Sequence, residues 1–166
     1  SDIAERIINE LKPSDELETV QQSINETDEM TQIYNKHRVP GYSGLKDIKS
    51  YVRRAEIGSL LNVEELNQIK RNIQVQNRFK TFYASIVDED EAILYPNIDG
   101  YVAQLPVLSE LLNQINEQCD EHDLFDTASS KLAELRHQIK KTNDRIKSRL
   151  EQMVRSSANQ KKLSDS

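Results

Sequence analysis

At 166 residues the chain is long enough to bury a core of its own, as one domain or as one domain with an extended arm. Hydrophobic residues make up 36% and charged residues 30%, with four glycines and four prolines, a balance that suits long polar-faced helices and excludes an all-β sandwich or barrel. The net charge of −6 conceals a split, because residues 1–130 carry 24 acids against 12 bases while residues 131–162 carry ten bases against three acids.

The opening SDIAERIINELKP spaces Ile3, Ile7, Ile8 and Leu11 as a helix that Pro13 stops, and it has neither the basic nor the apolar region of a signal peptide. It reads as the end of a helix cut short. After Pro13, Asp15 and Glu18 read as a capping box for a second helix with Leu17, Val20 and Ile24 on one face. Met30, Ile33 and Tyr34 fall on another face, so this helix either touches two neighbours or bends near Thr27.

The breakers of HRVPGYSG, His37 to Gly44, predict a loop. A short helix follows, with Ile48, Tyr51, Val52 and Ala55 as its buried stripe and Gly58 as its C-terminal cap. Asn62 and Glu65 form the capping box of a long central helix through Leu66, Ile69, Ile73, Phe79 and Phe82. Val87 to Gly100 is acidic, ends in turn residues and reads as a surface connection. Pro106 fits the first turn of a helix striped by Leu108, Leu111, Leu112, Ile115 and Cys119.

The last helix starts near Ser129 or Ser130 and places Leu132, Leu135, Ile139, Thr142, Ile146, Arg149 and Met153 at alternating spacings of three and four. These are the a and d sites of a coiled coil, diluted by Thr142 and Arg149, and they imply a pairing helix from elsewhere. No Gly or Pro interrupts Ser130 to Ala158, so an arm of roughly 40 Å is expected at about 1.5 Å per residue. The tail ends without a closing element, and both ends of the chain read as truncated.

No phosphate loop, GxGxxG, HExxH, CxxC or serine nucleophile elbow occurs, so no catalytic residue, cofactor site or metal site is assigned within the chain. His122 between Glu121 and Asp123 reads as a polar helix exit rather than a metal site, and Asp88 to Glu91 as a solvated acidic loop. Cys119 is the single cysteine, no run reaches 18 apolar residues, and a cytoplasmic location without membrane contact is expected. The one cluster with a chemical reading is basic: Lys140, Lys141, Arg145, Lys147, Arg149, Arg155, Lys161 and Lys162. On a helix such residues neutralise phosphates without reading sequence. The plainer reading, a solvated face paired with acids elsewhere, carries the greater weight, and no aromatic lies here to stack a base.

Two stretches, KPSDELETVQQSINETDEM at Lys12 to Met30 and GLKDIKSYVRRAEIGSLLNVEELNQIK at Gly44 to Lys70, resemble the amino-terminal part of the second MutS-type family of bacteria. The proline-ended helix, the ET-D-E helix, the R-A-x-x-G turn and the L-x-x-E-E-L helix opening follow one another in the family's order. DTASSKLAELRHQIKKTNDRIKSRLEQMVRSSANQKKL, Asp126 to Leu163, resembles the family's lever helix and the segment leading into its clamp.

The resemblance covers roughly residues 9–163. It implies an all-α fold, with a helical core over residues 1–125 and a lever over 126–166 that leads toward a clamp. It also implies a longer, homodimeric protein that uses ATP and magnesium, carries a nuclease-like domain beyond these residues, and closes around nucleic acid. The family's roles are restraint of recombination at branched DNA and the splitting of collided ribosomes. A helical adaptor that recruits a partner through the 132–153 seam is the alternative.

Overall fold

The computed structural model describes residues 2–87 and 94–155. Among the described residues are seven α-helices and no strand, as the all-α reading requires. They are α1 (Asp2–Glu10), α2 (Leu17–Lys36), α3 (Lys49–Glu56), α4 (Val63–Ile86), α5 (Pro96–Gln104), α6 (Ser109–Gln118) and α7 (Ser130–Arg155), with a 3₁₀ turn over Asp126–Ala128.

Helix α4 is the spine. The Asn62 side chain accepts from the Glu65 amide and the Glu65 carboxylate from the Asn62 amide, both at 2.9 Å, so two of the unpaired donors at the helix start are satisfied reciprocally. With no Gly or Pro inside, the helix runs 24 residues and buries different faces along its length. Its first half packs against α6, where Ile73, Val75, Ile115 and Cys119 are buried. Its last turns supply Tyr83 to a core shared with Ile33 of α2, Tyr95 and Ile98 of α5. Ile33 is wholly enclosed, and removing such a side chain from water contributes about 2 kcal/mol.

A polar row along α4 fixes the loops beside it. Gln68, Asn72, Gln76 and Lys80 recur every fourth residue and therefore share one face. Gln68 donates to the Gly44 carbonyl (2.7 Å), Asn72 to that of Lys46 (2.8 Å), Gln76 to that of Pro106 (2.6 Å) and Lys80 to that of Leu105 (3.0 Å). Long-range side-chain hydrogen bonds thus tie residues 44–46 and 105–106 to a single rigid element.

Several expectations are corrected. Helix α2 has Glu16 at its N-cap with no side-chain cap, so Asp15 and Glu18 form no capping box; Ser14 instead accepts from the Glu16 amide at 3.2 Å. The helix runs unbroken through Thr27, with its Leu17 and Ile24 face exposed and its Ile33 face covered. In α3, Val52 is exposed and no residue is buried, because a helix of eight residues here has no covering element. Its cap is as expected: Gly58 has φ +75°, and the Gly58 and Ser59 amides donate to the Ala55 and Arg54 carbonyls at 2.9 Å each.

Pro106 does not open α6, which starts at Ser109; the carbonyls of Leu105 and Pro106 are held by α4, and a residue before proline favours the extended backbone seen at Leu105. Residues 96–100 belong to helix α5 rather than to a surface connection, and Tyr95 before them is buried. Pro96 occupies the first turn of α5, where its missing N–H costs nothing. The buried Glu29 carboxylate, from α2, accepts from the Asn97 and Ile98 amides at 3.0 Å, a cap supplied from 68 residues away. The acidic run Asp88 to Glu91 lies outside the described residues.

Candidate nucleic-acid interface

Helix α7 carries the basic cluster, and its root is built from side chains of the preceding turn. Asp120 accepts from the His122 and Asp123 amides at 2.7 and 2.8 Å, bonds that pull its pKa below the usual carboxylate range. His122 therefore belongs to a folded turn, closed by an isolated bridge between Cys119 and Leu124. Asn67 of α4 donates to the Asp120 carbonyl at 2.7 Å and fastens this turn to the spine.

From α7, the Arg136 guanidinium spans the same turn. It meets the Asp123 and Asp126 carboxylates at 2.6 Å each and donates to the Leu124 carbonyl at 2.8 Å. The Asp126 hydrogen bond, with the nearby Asp123 charge, raises the Arg136 pKa further. Three acceptors on one planar donor fork restrict the direction of the helix more than a single lysine contact does. The 3₁₀ turn touches both α6 and α7 and closes the joint.

Beyond the root, every described residue from His137 to Arg155 is exposed. The helix has 26 residues and so extends about 39 Å at about 1.5 Å per residue. The apolar seam is uncovered: Leu135, Ile139, Ile146 and Met153 are exposed, Leu132 is half-buried, and Leu150 and Val154 extend the same face. Sequence reasoning missed these last two because they fall outside strict a and d positions.

The structure places Lys140, Lys141, Arg145, Lys147, Arg149 and Arg155 on this exposed arm, and Lys161 and Lys162 lie outside the described residues. Helical periodicity separates them into two rows astride the seam, so they form no single stripe. Lys141, Arg145 and Arg149 follow at every fourth residue, about 6 Å apart, with no acid in their row of the outer helix. Lys140 and Lys147 lie across the seam, where Asp144 and Glu151 follow each at helical contact spacing. Among the described residues none of the six is in a salt bridge.

Arg136, Asp123 and Asp126 are the structural residues that sequence reasoning did not single out, since no local rule pairs an arginine with acids 10 and 13 positions away. Among the described residues no group of three His, Cys, Asp or Glu side chains is placed to hold a metal, and no helix is long and apolar enough to cross a membrane.

Sequence comparison identifies relatives of this assembly. The chain is 53% identical over 165 residues to endonuclease MutS2 of Staphylococcus aureus strains JH9, Mu50 and Newman. Over nearly its whole length, the chain is similar to a stretch of MutS2. The match takes in 99% of the chain and 21% of each MutS2 relative, so the chain spans about a fifth of their length. No family model matches the sequence. The MutS2 match runs through the capping box of α4, the Gly58 turn and α7 alike, so root and arm lie within it.

Proposed function

We propose that this chain is the non-catalytic body and lever of a MutS2-type protein, transmitting nucleotide-driven motion from an ATPase elsewhere in the longer protein to a clamp on nucleic acid. One observation carries the reading: α7 leaves the body through the Arg136 joint, and every described residue from His137 onward is exposed. A lever needs a fixed root and a stiff shaft, and an uninterrupted helix supplies the shaft. ATP, magnesium and nuclease chemistry belong in this proposal to the longer cytoplasmic protein, acting as a homodimer on branched DNA or on collided ribosomes. The relatives' name as endonucleases supports a nucleic-acid role.

Within the lever, the Lys141, Arg145 and Arg149 row is the phosphate-facing side, because Glu151 dilutes the charge of the other row alone, while Asp144, three residues after Lys141 and four after Lys140, borders both. Binding of the chain to a branched DNA and to a structured RNA tests this. Three phosphate contacts predict a salt slope near about −2.7, so affinity falls about 40-fold between about 50 and 200 mM salt. Changing Lys141, Arg145 and Arg149 to Glu abolishes that slope, whereas changing Lys140 and Lys147 has a smaller effect. Salt-insensitive association would instead support the adaptor reading, in which the exposed 132–153 seam recruits a partner helix.

A further inference from the structure

A second surface lies on α4, away from the arm. The buried Val75 is common to the linings of two adjoining clefts, one of about 370 Å³ and one of about 410 Å³. The first is apolar, with Ile73 and Phe79 as its floor, Tyr42 and Leu45 on one side and Leu105 and Leu108 on the other. The Tyr42 and Phe79 rings meet at 6.0 Å, and burial raises the Tyr42 pKa. The second cleft carries Arg71 and Arg78, one heptad apart on α4, with Gln74 between them and Leu112 of α6 opposite.

Two features distinguish this pair of clefts from an incidental surface depression. Their walls are fixed in advance, since the polar row on α4 holds residues 44–46 and 105–106 through five hydrogen bonds. Their charge is also one-sided. No acid lines either cleft, and neither guanidinium takes part in a salt bridge among the described residues, although residues 1–130 hold twice as many acids as bases. Two arginines with no salt-bridge partner among the described residues, on an acidic body, present a local field opposite to the overall one.

From this we infer that the two clefts meeting at Val75 are a docking site for an acidic peptide segment of a partner protein, which seats an aliphatic or aromatic side chain against Phe79 and sets carboxylates on Arg71 and Arg78. The two arginines are about 10 Å apart along the axis at about 1.5 Å per residue. An extended peptide places side chains on one face about 6.6 Å apart, so acids at positions i and i+2 or i and i+4 face both arginines, whose long side chains span the difference. A nucleic acid satisfies the arginines but leaves the apolar half unfilled, which favours polypeptide as the occupant. Arginine suits the carboxylate geometry through its paired donors, and the apolar cleft supplies the anchor expected of a peptide-binding groove.

The test is selection from a phage-displayed random dodecapeptide library on the immobilised chain, with Arg71→Glu/Arg78→Glu as the counter-target. Both arginines are exposed, so their reversal leaves the fold intact, which circular dichroism checks. Enriched peptides are expected to carry paired acids beside an apolar residue, to lose at least tenfold in affinity on the double variant, and to lose affinity on Tyr42→Ser. Absence of enrichment, or peptides that bind the double variant equally well, overturns the inference. Competition of the selected peptides by a single-stranded oligonucleotide at equal charge overturns it too, in favour of a phosphate site.

Discussion

Tyr83 is a buried polar side chain of the core. It is 4% exposed, its hydroxyl has no partner at full hydrogen-bond geometry among the described residues although the Asp99 carboxylate lies close, and burial, followed by the charges of Asp99 and Glu29, pushes its pKa up to about 12. The sign follows from linkage: the folded state holds the phenolic proton more tightly than the unfolded chain, whose tyrosine ionises near about 10. Stability from this source is complete below about pH 10 and is lost as pH rises toward about 12. Tyr83→Phe is expected to be neutral or up to about 1 kcal/mol more stable at neutral pH, since it removes an unpaired buried hydroxyl, and to flatten the alkaline loss. Urea denaturation of both proteins at pH 7 and near pH 11 measures this; a clear loss of stability at pH 7 would mean that the hydroxyl is bonded. Sequence alone did not reveal this residue, nor Glu29, whose acidity marks it as a surface group until α5 arrives to be capped.

Among the helices, local start and stop chemistry was legible at α3 and α4 but not at α2, where Asp15 and Glu18 form no capping box. The Asn62–Glu65 box and the Gly58 cap depend on neighbours within a few residues, and both are as the pattern predicts. Elements defined by distant partners were not. Helix α5 needs Glu29, α6 starts late because α4 holds the carbonyls ahead of it, and α3 keeps an apolar face that nothing covers. Helix α7 was legible as a continuous helix, but its division into two basic rows needed the phase of the helix as well as the count of its charges. Stiffness of that element is testable. Ile146→Pro costs about 3 kcal/mol in a helix interior and, with no packing to compensate, should unravel the outer arm. Far-UV circular dichroism should show lost helicity with the cooperative melting of the body retained. In the longer protein, ATP hydrolysis should continue without clamp closure, and unchanged coupling would count against the lever.

Across the whole molecule, the chain is a body organised on α4 with one long helix leaving it, and the two are joined by a relay of Asn67, the Asp120 turn and Arg136. A lever differs from a flexible tether in one physical respect, which is that its tip keeps a defined distance from the body. Spin labels at Thr81→Cys on α4 and Ser148→Cys on α7 report that distance by pulsed electron resonance, and the buried Cys119 stays unlabelled. The expected result is one narrow distance distribution that broadens when Arg136→Met removes the contacts to Asp123, Asp126 and Leu124. A broad distribution in the unaltered chain, or a narrow one indifferent to Arg136→Met, would contradict the rooted lever.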